Sequence, residues 1–450
     1  MTQQRLNQVE VACLLVATPL LLFPSLLSVP ALLLLLAPWG LRWRFRRRLT
    51  IHTPLDVPIL CLLATVPVAV WASPLPQESL RKLLGIILGV SFFYGVVNSS
   101  PTRPWLWRWM LILVAGGMGI ALLSLFGTDW AGYKTLPLQP VYQRLPRLFH
   151  NVTTYGGGGF HPNEVGGALI LVLPPTLAAC LALLRDNPGS HVAASAVALG
   201  GADVGRQEGV LRRVWSHRIL LPLLGLSFAL TAAAFLLTQS RSAYLGLFVG
   251  LVAFGTLRSR WFLVALLVLT VGSVAIGLHL GLEDSVEALV QTQSARLGVG
   301  RFEIWQRAVS LIEDFPYTGI GLNTFPYVSE ALYPYVTRSP AGMVPHAHNN
   351  LLQVGVDLGV PGLVAYVGVL TSFALCAWRV NRRSAGLAPR LLSAGLFAGV
   401  LAHQVYGLTD AITLGAKPGF LLWMLLGLMA SFYRLEMTGA EGGRQQVHAG

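Results

Sequence analysis

Apolar runs of membrane-spanning length recur along almost the whole chain, and polar residues are confined to the gaps between them. A helix of about 20 apolar residues crosses the hydrocarbon core of a bilayer, so each such run predicts a span. Residues 9–41 form one stretch broken by Pro19, Pro24, Pro30 and Pro38. It is too long for one span and predicts a tight hairpin of two, turning near Pro24. Further spans read as 57–72, 80–98, 105–126, 163–184, 219–237, 241–257, 260–280, 361–378, 391–408 and 418–433. That makes twelve spans, or eleven if the first stretch is not a hairpin. The fold class is therefore an all-α polytopic membrane protein. The N-terminal stretch carries one Arg and no small-residue cleavage pattern before Pro30, so it reads as a retained span.

Two longer polar segments interrupt the pattern. One follows residue 126 and ends in the run GGGGFHPNEVGG; the other covers 281–347. In the second, Phe302, Trp305, Ala308, Val309 and Ile312 recur at helical spacing, with Arg301, Glu303 and Arg307 interleaved. That pattern predicts an amphipathic helix on the membrane surface, stopped by Pro316. Residues 348–358 predict a short helix leading into the next span, with Pro361 in its first turn. The chain then divides into a bundle of about nine spans (1–280), a loop with short amphipathic helices (281–360), and three spans with a tail (361–450).

Composition agrees with the pattern. The 450 residues are 54% hydrophobic and only 11% charged, against about 25% charged for a soluble domain. The formal charge is +13, and 29 of the 32 basic residues are Arg. Such an excess can signal nucleic-acid binding, but topology accounts for it. With the N-terminus inside, 21 of the Lys and Arg and 7 of the Asp and Glu fall on the inner side, leaving 11 and 12 outside. The basic excess lies on the inner face, as the positive-inside rule requires. The partner implied is the lipid bilayer, and no nucleic acid. Cys13, Cys61, Cys180 and Cys376 stand singly, which predicts neither a disulfide framework nor a metal site. The glycines at 156–159 lack a Walker lysine and a preceding strand, so no nucleotide loop is expected.

The candidate chemistry lies in three polar clusters, each at a helix start on the outer face. They are His161-Pro162-Asn163-Glu164, Gln239-Ser240-Arg241-Ser242, and His346 to Asp357. Helix N-termini expose unpaired N–H groups and a partial positive charge, and so attract anions. Ser240 can cap its helix. Arg241 in a first turn opposes the helix dipole, which suggests an anion there; a snorkelling interfacial arginine is the plain alternative. Asn163 and Glu164 suit capping as well as chemistry. Arg301 lies on the surface helix, with Arg296 as its competitor. Asp357 could orient a histidine or pair an arginine. Arginine forks stabilise a departing diphosphate, and an imidazole can deprotonate an attacking hydroxyl near neutral pH. No Asp/Glu cluster of metal-binding type accompanies them, so arginine would take the place of a metal ion.

Two motifs resemble the O-antigen ligase and O-antigen polymerase superfamily of bacterial envelope proteins. Arg-x-x-x-Leu appears as Arg241 to Leu245, and a His followed by a polar residue, nine residues and Gly-x-x-Gly appears as His348-Asn349 to Gly359-Val-Pro-Gly362. GRFEIWQRAV and TGIGLNTF also look like the large external loop of that superfamily. The resemblance implies a GT-C-like glycosyltransferase architecture, placed in the bacterial inner membrane with its site facing the periplasm. It implies transfer of a glycan from undecaprenyl diphosphate to lipid A–core or another glycan acceptor, with no cofactor. It implies His348 as base, Arg241 on the diphosphate, and Arg301 or Arg296 as the second arginine; His346, Asn349, Asn163, Ser240 and Asp357 would line the substrate. A competing expectation is a transporter for a small anion such as bicarbonate. Transporters carry ionisable residues inside their spans, whereas here such residues lie at span ends.

Overall fold

The computed structural model describes residues 3–22, 27–130, 138–148, 160–185, 204–259, 261–264, 266–268, 271–272, 300–334, 344–384, 386–412 and 414–447. Arg296 and most of the expected span 260–280 lie outside these described residues. The main helices are α1 (Gln3–Leu22), α2 (Ser28–Arg46), α3 (Asp56–Ala72), α4 (Pro76–Ser99), α5 (Arg103–Gly127), α6 (Pro162–Arg185), α7 (Val204–Leu237) and α8 (Arg241–Arg258). They continue with α9 (300–314), α10 (Phe325–Leu332), α11 (Asn350–Arg383), α12 (Leu387–Tyr406) and α13 (Phe420–Val447). The described residues contain no β-strand. Seven helical segments among them are long and apolar enough to cross a membrane, from Gln4–Leu22 to Lys417–Met437. The protein is a multi-pass, all-helical membrane protein.

Small residues set the closest helix contacts. A Cβ at Gly246 or Gly250 of α8 would come within 2.4 and 2.6 Å of the Ala402 and Ala398 carbonyl oxygens of α12. A Cβ at Gly399 of α12 would meet the Leu171 carbonyl of α6 at 2.9 Å. In lipid there is little hydrophobic drive between helices, so backbone approach and dispersion hold such a trio together. The hairpin of α1 and α2 forms as the prolines predict. Arg42, near the end of α2, turns inward. It is 5% exposed and bonds the Glu10 carboxylate and Asn7 Oδ1, while Asn98 of α4 donates to Glu10. Burial of an apolar hairpin leaves Arg42 no water, so a buried carboxylate must satisfy it. Helix α7 begins at Val204, well before the span expected from residue 219, because Val210, Leu211 and Val214 keep a helical period.

The segment after residue 300 forms a small body at one end of the bundle. Its own core joins Ile304, Ala308 and Leu311 of α9 to Ile320, Phe325, Ala347 and Val356. Of the apolar positions that the sequence assigns to a surface-lying face, Ala308 packs inward, while Phe302 and Val309 are exposed. The helix has two apolar stripes, and the one at 304, 308 and 311 docks on protein while the other faces out. Latches hold this body down. Ser79 Oγ donates to the Leu322 carbonyl at 2.9 Å, and Asn323 Nδ2 to Glu78 Oε2 at 3.0 Å. Helix α11 is broken at Gly359, whose φ of 69° only glycine adopts freely. The break separates a short helix, 350–358, from the span proper, in agreement with the expected boundary. The Val360 N–H then donates to the Pro316 carbonyl at 2.7 Å.

Candidate active site

Three helix starts meet at this same end of the bundle. The first turn of α6 contacts the start of α8: a Cβ at Gly166 would lie 3.2 Å from Ser240 Cβ and 3.0 Å from Ala243 Cβ. The α6 start also reaches the α12–α13 loop, where Asn163 Nδ2 donates to Asp410 Oδ2 at 3.1 Å. That loop is clamped to the start of α11. Asn350 N–H donates to the Gly407 carbonyl at 2.6 Å, Ile412 N–H to Asn350 Oδ1 at 3.1 Å, and Asn349 Nδ2 to the Leu408 carbonyl at 3.1 Å. Asn349 is also the N-cap of α11, its Oδ1 accepting from the Leu351 and Leu352 N–H groups at 3.0 Å. Its amide is therefore spent on architecture.

At the centre stands His348, held at φ 48° and partly open to solvent. Its Nδ1 and Asp410 Oδ1 are 3.2 Å apart. Asp410 is 3% exposed and also accepts from the Ala411 N–H at 2.9 Å. Burial pushes the Asp410 carboxyl up, but the His348 hydrogen bond, the nearby imidazoles and the Ala411 N–H outweigh it. The net is a carboxyl held well below its ordinary range. An ionised carboxylate only accepts, so His348 Nδ1–H is the donor of this bond and Nε2 is the ring nitrogen left to meet a substrate. His346 supports the arrangement. Its ring lies 4.3 Å from that of His348, and its Nδ1 accepts from the His348 backbone N–H at 3.2 Å. Burial, aided by the adjacent His348, pushes the His346 imidazole down to about 3, so it stays neutral.

Charged groups stand at the neighbouring helix starts. Glu164 is within electrostatic reach of Lys82, Asp410, Lys417 and His348. Arg301 is half-buried at the start of α9, within electrostatic range of the buried Tyr406 hydroxyl. Arg241 is exposed on the first turn of α8 and has no hydrogen bond or ion pair among the described residues. Ser240 precedes it at the N-cap position but does not cap: its hydroxyl lies 3.5 Å from that of Ser242. Asp357 departs from expectation too. It is 1% exposed and accepts from Gln353 Nε2 at 2.8 Å, whose Oε1 accepts from the Ala347 N–H at 2.7 Å. It braces the turn that carries the histidines and orients neither His348 nor an arginine. The residue that orients His348 is Asp410, which sequence reasoning missed. Its one signal was being the sole carboxylate between the last two expected spans.

His346, His348 and Asp410 each offer a ligand atom, all within 4.8 Å of one another, so their spacing suits a metal ion. Both Nδ1 atoms and both carboxylate oxygens are already hydrogen-bonded, however.

Residues 226–367 match the O-antigen ligase family. No curated protein matches the chain. The family match runs from within α7 to Val367, so it holds Arg241, Arg301, His346, His348, Asn349 and Asp357. Both motifs that resemble the O-antigen ligase and polymerase superfamily lie inside it. Lys82, Glu164 and Asp410 lie outside it and reach the family's motif residues only through the fold. The match supports an activity of the O-antigen ligase or polymerase type, with a lipid-linked glycan, an acceptor and the membrane as partners.

Proposed function

We propose that this protein is a metal-independent glycosyltransferase of roughly twelve spans and GT-C-like architecture, working at the periplasmic face of the bacterial inner membrane. The donor is a glycan on undecaprenyl diphosphate. The acceptor is a hydroxyl of lipid A–core or of another glycan. The observation that carries this reading is the His348–Asp410 pair, set where the starts of α6, α8 and α11 converge. His348 Nε2 takes the proton of the acceptor hydroxyl as its oxygen attacks the anomeric carbon. The bond from that carbon to the diphosphate oxygen breaks, and the electron pair leaves with the diphosphate. Arg241 and Arg301 hold the charge that develops there, and the helix starts add their dipoles. Asp410 keeps the imidazole in the useful tautomer and stabilises it once protonated. Three helix-start dipoles focused at one end favour a bound anion over passage of an ion across the bilayer, and the family match gives the bicarbonate-type transporter no support.

The test is incubation of purified protein with an undecaprenyl-diphosphate oligosaccharide and candidate acceptors, with products read by mass. Transfer to lipid A–core or chain extension is expected. His348→Ala, inserted normally, should abolish it, and Arg241→Lys should be strongly impaired, because a point charge cannot replace a fork of donors. Full activity of His348→Ala would remove the proposed base.

A further inference from the structure

The turn that carries His348 also gathers ligand atoms suited to a metal. His346, His348 and Asp410 each offer one, and the three atoms lie within 4.8 Å of one another. Tetrahedral ligands at about 2.0–2.1 Å from a zinc ion stand about 3.3–3.4 Å apart. His348 Nδ1 and Asp410 Oδ1, at 3.2 Å, already form such an edge. The His346 ring, centred 4.3 Å from that of His348, supplies a third corner by side-chain rotation. Most bonds these atoms make run inside the group, from His348 Nδ1 to Asp410 Oδ1 and from the His348 N–H to His346 Nδ1. A cation therefore displaces the group's own contacts, while Asn163 still holds Asp410 Oδ2 from outside. Asp410 is 3% and His346 8% exposed, but the His348 side chain is 27% exposed. Two ligands are thus fixed in protein, and the third leaves a fourth position to water.

We propose that His346, His348 and Asp410 form an inhibitory site for a divalent ion of the zinc class, which competes with transfer for the same imidazole. This deepens the transferase reading, and its inhibitory half rests on that reading. Two imidazoles and one carboxylate favour zinc or cobalt over magnesium and calcium, which take oxygen ligands. A reaction that needs no metal and a site that binds one are then compatible. The exchange balances without redox. The ion takes the Nδ1 lone pair of His348, and the proton that Nδ1 held moves to Nε2 of the same ring through solvent. No proton is lost, yet Nε2 becomes an N–H and can no longer accept the proton of the acceptor hydroxyl. The ion occupies the orienting edge and leaves the wrong tautomer behind it.

The first arm titrates Zn2+ by calorimetry, and Co2+ by its visible absorption, into the full chain in nanodiscs with any purification tag removed. One high-affinity ion per chain is expected, and Mg2+ should not compete for it. His346→Asn, which keeps an acceptor for the His348 N–H, and Asp410→Asn should each weaken Zn2+ at least about ten-fold. This arm needs no turnover, so it stands even if no glycan transfer is found. The second arm measures transfer against Zn2+ concentration. Inhibition should be reversed by a chelator, match the binding constant, and move at least about ten-fold in His346→Asn relative to that variant's own uninhibited rate. Zn2+ affinity indifferent to both substitutions in folded variants would overturn the site, and full transfer by the zinc-loaded wild type would overturn the inhibition.

Discussion

Replacing Asp410 by Asn tests the centre of the site with almost no change in volume. The carboxylate accepts from His348 Nδ1–H at 3.2 Å, Asn163 Nδ2 at 3.1 Å and Ala411 N–H at 2.9 Å. An amide has one acceptor oxygen, so its NH2 must face a donor whichever way it turns. If it faces Asn163, that amide can flip, but the His348 bond still loses its charge. If it faces His348, the imidazole must shift its proton to Nε2, the atom that has to receive one. A hydrogen bond to a charged group contributes about 1.5–3 kcal/mol, which corresponds to roughly 10- to 150-fold in rate. The upper end applies if the tautomer changes. The assay is single-turnover transfer by purified Asp410→Asn, with thermal unfolding to show that the variant is folded. Activity within about three-fold of wild type in a folded variant would refute Asp410 as the orienting group. The pH dependence has a definite sign. A carboxyl held below its unfolded value of about 3.9 contributes fully above that pH, and the contribution is lost as pH falls through the folded value. The wild-type profile between pH 5 and 8 should therefore show no limb from Asp410.

Three further outcomes are expected. The His346 imidazole lies at about 3 when folded, so the unfolded chain binds more protons below about pH 6.5 and stability falls as pH falls. Lowering pH from 7 to 5 should cost up to about 2 kcal/mol, and His346→Asn, which can still accept from the His348 N–H, should flatten that slope in melts at the two pH values. Gly359→Ala puts a Cβ 2.7 Å from the Pro316 carbonyl at a φ of 69°; a loss of about 1–3 kcal/mol is expected, and an unshifted melting curve would contradict the kink geometry. Glu10→Ala strands the buried Arg42 and should cost about 3–5 kcal/mol, much of it regained when Arg42→Met is added; additive losses in the double variant would count against the pair.

What the chain discloses on reading, and what it conceals, follows from the range of the forces involved. The hairpin of α1 and α2, the short helix before Gly359 and the start of α8 depend on neighbours within a few residues, and periodicity and proline reported them. The Arg42 pairing is hidden from local reading, because its carboxylate lies 32 residues earlier. Helix α9 carries a second apolar stripe at 304, 308 and 311, whose partners lie in other elements and so beyond local reading. The site divides along the same line. His348 and Arg241 were visible because each opens a helix, a position defined locally. Asp357 drew attention as the carboxylate nearest to His348 in sequence. Yet seven residues of helix separate it from Asn350, about 10 Å of rise at 1.5 Å per residue, and it cannot turn back to the ring. Asp410 is 62 residues away and touches it, because the chain reverses after Tyr406 and the Asn350 clamp brings the loop onto the α11 start. A base at a helix start has backbone N–H groups on its own side and no local carboxylate, so its orienting acid must arrive from another element. The short loop that delivers Asp410 lies outside the family match, and it should therefore govern how the His348 ring is held.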